Sequence, residues 1–160
     1  MTTHKSIGTE HEPFVIDSND YWTALLHENQ YYLGRFYVWL HRPGKVDFMP
    51  GPVSGEGPYQ SGLSSEEHKA LFKLTRSVCA VINKTWQPDL WNYAWLANHE
   101  SHGHHGHMHV IPRYRQSRTF QGRVFTDAQW GQNYVPYPDV TYPEPLRKEI
   151  AREIERGFYE

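Results

Sequence analysis

The chain has 160 residues, enough for one domain with a substantial core, and its 16 Lys and Arg against 18 Asp and Glu leave a formal net charge of −2. That balance excludes a global basic field, so neither nucleic acid nor an anionic membrane is expected as a partner. No run approaches the ~20 apolar residues of a membrane span, the start MTTHKSIGTEHEP lacks a signal-peptide design, and the single Cys79 cannot form an internal disulfide; a soluble, cytoplasmic protein is expected.

Residues 1–13 are polar and aperiodic and read as a mobile arm ahead of one domain over 14–160. Ser18, Asn19 or Asp20 can cap a short helix with Tyr21, Trp22, Leu25 and Leu26 on its apolar side. YYLGRFYVWLH, residues 31–41, is rich in aromatic and β-branched side chains and reads as a strand. Over residues 43–62, Pro and Gly recur too often for either period, which predicts a long loop. Ser64 and Glu67 form a capping box for a helix within 63–86, where Leu71, Leu74, Val78, Val81 and Ile82 keep helical spacing and Cys79 is a small core side chain. LWNYAWLAN, residues 90–98, and the segment leading into MHVIPRY read as two further strands. An irregular stretch follows, and EPLRKEIAREIERGF forms a closing surface helix, supported by Pro145 and i, i+4 charge pairs. The order implies an α+β domain: an antiparallel sheet with one main helix packed on it and a C-terminal helix.

Six of the 11 histidines fall in NHESHGHHGHMHVIPRY, residues 98–114. Strand alternation puts His105, His107 and His109 on one face and Gly106, Met108 and Val110 on the other. A metal cage is one reading. On a regular strand, however, His105 and His109 start ~13–14 Å apart, while zinc needs its ligand nitrogens at ~2.0–2.1 Å, so His99, His102 or His104 of the turn would have to contribute. A phosphate-handling row fits the period better, because imidazole can attack phosphorus, donate hydrogen bonds to phosphoryl oxygens and protonate a leaving oxygen near neutral pH. His107, at the centre, is placed to attack.

HGHMHVIPRY resembles the signature of the histidine triad (HIT) family, His-φ-His-φ-His-φ-φ with φ apolar. NYAWLAN resembles the NYA-x-LGN strand of the branch containing the diadenosine polyphosphate hydrolases. YYLGRFYVWLH is similar to the strand that leads to the family's base- and ribose-binding wall. The resemblance covers most of residues 30–114, with its specific motifs in 92–114. It implies a HIT-like domain over 14–160 and a hydrolase or nucleotidyl transferase acting on a nucleotide conjugate or dinucleoside polyphosphate. His107 would attack the α-phosphate to form a nucleotidyl-histidine, with AMP carried on the histidine where the nucleoside is adenosine, and with His105 and His109 flanking it. It further implies substrate contacts from Asn98 and Ser101, a loose match of His41 to the family's fourth histidine, and a homodimer. The histidine chemistry requires no cofactor, although a divalent metal can accompany the nucleotide. A catalytically weak nucleotide binder and a metal protein using the His-rich turn are the alternatives.

Three departures stand out. Gly106 replaces an apolar residue, which is expected to loosen the packing behind the row; Ala97 replaces the Gly of LGN; and the turn HESHGH is longer than usual in this branch. Arg113 and Tyr114 are expected to anchor the strand end. Trp130, in the aromatic segment 120–138, is expected in ordinary packing or lining the site or a dimer contact.

Overall fold

A computed structural model of the chain describes residues 14–44, 46–50, 61–97 and 105–160. Five strands, β1 (Val15–Ser18), β2 (Trp22–Leu26), β3 (Phe36–Leu40), β6 (Leu90–Leu96) and β7 (His107–Arg113), form an antiparallel sheet in the order β1-β2-β3-β7-β6. Helix α1 (Ser65–Trp86) packs on one face of this sheet, and α2 (Glu144–Gly157) packs against α1 and β1. The architecture is the expected α+β one.

The core forms between α1 and the sheet. Trp22, Ala24 and Leu26 of β2, Phe36, Val38 and Leu40 of β3, and Met108 and Val110 of β7 meet Leu71, Leu74, Val78, Cys79 and Ile82 of the helix. Cys79 is buried there, and burial pushes its thiol up to about 12. Helix α1 begins as its capping box requires: the Glu67 amide donates to Ser64 Oγ at 3.1 Å, and the Ser64 amide donates to Glu67 Oε2 at 2.8 Å.

Four expectations need correction. Residues 22–26 are a strand, not a helix. All five are buried, so both faces are covered and the alternation that would mark a strand disappears into a continuous apolar run. Asn19 does cap, but it caps the turn between β1 and β2, where its Oδ1 accepts from the amides of Tyr21 and Trp22. The strand within 31–41 covers only Phe36–Leu40. Residues 31–35 turn instead, through Gly34 at φ 84° and an Arg35 amide bond to Tyr32 O.

Residues 43–62 are not wholly loop. β4 (Val46–Pro50) and β5 (Ser61–Leu63) pair in parallel, and Val46 and Leu63 enter the core. The segment after the triad is not wholly irregular either. β8 (Arg118–Phe120) and β9 (Arg123–Phe125) form a hairpin around Gln121 and Gly122, both at positive φ, as a tight two-residue turn demands. The expected arm over residues 1–13 and the His-rich turn over residues 98–104 lie outside the described residues.

Candidate functional site

The face of the sheet away from α1 carries the histidines. Register sets Trp39 opposite His107 and Tyr37 opposite His109 on β3, and Leu96 and Ala94 opposite the same two residues on β6. β7 begins at His107, and His105 enters just ahead of it, tied in by its Nε2, which donates to Leu40 O. The ring of His105 stacks on Trp39, with centroids 4.0 Å apart and 8° between planes. His107 and His109 meet edge to face at 4.9 Å. The three imidazoles therefore stand in one file as the alternation implied, with His105 and His107 buried in the described structure.

His107 has a defined tautomer. Its Nδ1 lies 2.9 Å from His105 O, and a carbonyl can only accept, so the proton sits on Nδ1 and the lone pair on Nε2. That is the form of imidazole able to attack phosphorus.

The expectation that Gly106 loosens the packing is corrected. A Cβ at Gly106 would stand 2.9 Å from Trp95 Cζ2 and 3.0 Å from Cη2. The indole of Trp95 fills the space behind the row, with its own ring edge-on to Trp22 at 6.0 Å and tilted on Phe48 at 5.6 Å. Gly106 and Trp95 are a complementary pair, small against large across adjacent strands.

His27 and Arg35 lie on the same face as the histidine row, and sequence reasoning missed both. β2 alternation carries Thr23, Leu25 and His27 to the histidine face; β3 alternation carries Arg35, Tyr37 and Trp39 there. The His27 amide bonds Arg35 O at 3.0 Å, extending the β2–β3 ladder one step. The His27 ring lies 5.5 Å from that of His109 and 6.0 Å from that of Tyr37. Burial lowers its pKa to about 3, and the positive Arg35 adds to the shift, so His27 is neutral at physiological pH. Its Nδ1 accepts from the Asn29 amide at 3.0 Å, which places the proton on Nε2. Reading residues 22–26 as a strand would have exposed this alternation.

His41 faces the β1–β2 turn: Nε2 meets Thr23 Oγ1 at 2.9 Å and Nδ1 meets Asp20 O at 3.0 Å. Asn98, Ser101 and the turn histidines His99, His102 and His104 lie outside the described residues. Among the described residues, no three His, Cys, Asp or Glu side chains are gathered as metal ligands would be.

Arg113 is a scaffold residue. It ion-pairs with Asp127 at 2.7 Å and donates to Asn92 Oδ1, Gln132 O and Gln129 O at 2.8, 3.0 and 2.6 Å. Tyr114 OH bonds Leu33 O at 2.6 Å, and burial pushes that phenol far above its ordinary range. The Asn of NYA and the Arg-Tyr of PRY thus hold the segment 127–138 across the end of the sheet, helped by Asn29 donating to Pro138 O and Tyr32 to Tyr134 O, both at 2.8 Å. Trp130 of this segment packs under the Arg115 guanidinium, 5.6 Å from its ring centroid.

This antiparallel sheet with its helix on one face and a file of histidines on the other is the histidine triad fold. A HIT protein from Sinorhizobium meliloti 1021 matches it with a TM-score of 0.66 at 16% identity, over 95% of this chain and 96% of that one. A histidine triad protein from Marinobacter aquaeolei VT8 matches at 0.61 and 13% identity, over 96% of each chain. The Plasmodium falciparum diadenosine triphosphate hydrolase, solved with cyclomarin A, matches at 0.56 and 14% identity, over 91% of this chain and 76% of that one. No family profile and no curated protein matches the sequence. No helix among the described residues is long and apolar enough to cross a membrane.

Proposed function

We propose that the protein is a nucleotide hydrolase or nucleotidyl transferase of the HIT type, with residues 14–160 as its single domain and His107 as its nucleophile. The observation that carries this reading is the bond from His107 Nδ1 to His105 O, which puts the ring proton on Nδ1 and makes Nε2 the basic nitrogen of the central histidine. In the first step Nε2 attacks the α-phosphorus of a nucleotide conjugate or dinucleoside polyphosphate. The N–P bond forms, the P–O bond to the leaving group breaks, and the leaving oxygen takes a proton from a flanking histidine or from water. Water or another acceptor then cleaves the N–P bond, releases the nucleoside monophosphate or transfers it, and returns His107 to its neutral form. His105 and His109 orient the nucleophile and contact phosphate; Asn98, Ser101 and His41 are further substrate contacts by the family resemblance. No cofactor enters these steps, and a divalent cation would arrive only with the substrate.

The fold shared with a diadenosine triphosphate hydrolase supports the substrate class. The test is turnover of a fluorogenic adenylate conjugate and of diadenosine polyphosphates by wild type and His107→Asn. The variant is expected to lose turnover by at least about a thousandfold while still binding AMP. Undiminished turnover, or a wild type that binds AMP without converting any of these substrates, would remove the covalent mechanism. We further propose that the protein acts as a cytoplasmic homodimer joined at the β6 edge of the sheet, where Leu90, Tyr93 and Leu96 are exposed.

A further inference from the structure

The file of histidines ends on a buried cation. Arg35 is 2% exposed, lies opposite His27, and holds its guanidinium 4.4 Å from the ring centroid of Tyr137. Its Nε and Nη1 are buried with no hydrogen-bond partner, and Arg35 is in none of the ion pairs among the described residues. The contrast with Arg113 is instructive: on the same face and equally buried, Arg113 is neutralised by Asp127 and makes bonds through every guanidinium nitrogen.

A buried, unneutralised arginine is costly. Taking a charge out of water is strongly unfavourable unless a counter-charge and hydrogen bonds replace the solvent, and cation–π attraction to the face of Tyr137 offsets only part of that cost. No core-packing role needs a guanidinium here, since an unbranched apolar side chain would fill the same space. The unmet donors are those that recognise an oxyanion, and the planar fork suits a phosphoryl group. A cleft of about 440 Å³ is lined by His27 and Tyr137, the two residues that flank Arg35, and by Asn29, Thr141 and Arg147. Glu28 and Asp139 also line the cleft, but both are exposed, where solvent screens them.

We propose that Arg35 is an anion-binding residue that receives a second phosphate of the substrate, beyond the one whose phosphorus meets His107. His109 and His27 bridge the two positions, in ring-to-ring steps of 4.9 and 5.5 Å from His107. The second phosphate belongs either to the polyphosphate chain or to the nucleoside's ribose. The inference rests on the reading of His107 given above, but Arg35 can be tested separately.

The experiment is calorimetric titration of wild type and Arg35→Met with AMP, ADP and adenosine 3′,5′-bisphosphate. Wild type is expected to bind at least one of the two bisphosphorylated ligands roughly tenfold or more tightly than AMP, the scale of a charge-assisted pair. Arg35→Met is expected to abolish that preference while changing AMP affinity by less than about threefold. Preference for ADP places the second phosphate in the chain, and preference for the bisphosphate places it on the ribose. A wild type with no preference, or a preference that survives Arg35→Met, overturns the proposal. If AMP and its relatives do not bind at all, the nucleotide reading fails by itself. Arg35 is then judged by inorganic phosphate: stabilisation of wild type but not of Arg35→Met in thermal unfolding supports the anion site, and equal or no stabilisation refutes it. Arg35→Gln, which keeps hydrogen-bonding capacity without charge, replaces Met in every arm if the Met variant does not fold.

Discussion

Gly106→Val is the substitution that the resemblance to His-φ-His-φ-His-φ-φ makes look harmless, since that signature has an apolar residue between its first two histidines. In this protein the Cβ alone would lie 2.9 Å from Trp95 Cζ2, and valine adds two methyl groups beyond it. Trp95 has little room to retreat, because Trp22 and Phe48 pack on its ring and Val46 Cβ lies 3.6 Å from the new atom. Overpacking of this kind costs about 1–3 kcal/mol, and at this chain length each kcal/mol lowers Tm by about 2–4 °C. The strain falls on the link between His105 and His107, where Gly106 O also accepts from the Leu40 amide at 3.2 Å. Urea unfolding of Gly106→Val, Trp95→Leu and the double variant forms the decisive cycle. Trp95→Leu alone leaves a cavity and is destabilising, whereas in the double variant the two volume changes offset each other. The coupling is expected to be favourable by about 0.5–3 kcal/mol. A Gly106→Val protein as stable as wild type, or strictly additive effects, would refute the packing argument.

Two further outcomes are expected. The pKa of His27 falls from 6.5 to about 3 on folding, so the unfolded chain binds its proton first as pH drops. The stability that depends on neutral His27 is present above pH 6.5 and is progressively lost toward pH 3, by about 1.5 kcal/mol between pH 6.5 and 5. Urea titrations at pH 7 and pH 5 should show that extra loss in wild type and not in His27→Asn, and equal losses in both would dispose of it. For the proposed dimer, sedimentation equilibrium should give twice the chain mass for wild type and the monomer mass for Tyr93→Lys, which sets like charges along the exposed β6 edge. A wild-type monomer would rule that interface out.

Much of this site was legible in the linear chain because its information is periodic and local. HGHMHVIPRY encodes its own face by alternation, and the Ser64–Glu67 box starts its helix within four residues. NYA and PRY were visible as motifs, but their work was not: Asn92 and Arg113 meet across neighbouring strands to hold the segment from Asp127 onward. The strand at 22–26 was misread for a physical reason. Both of its faces are buried, so burial erased the period that would have identified it, and His27 was lost with it.

The sequence by itself determined the spacing of the three imidazoles, the main helix and the α+β class, since each depends on residues a few positions apart. Tertiary structure alone decided what surrounds the histidines. Trp95 fills the space at Gly106 from another strand, and Arg35, just ahead of β3, ends the row with no ion pair among the described residues. Such facts depend on which strands lie side by side and on which charges are left unmatched, and long-range pairing in the folded chain sets both.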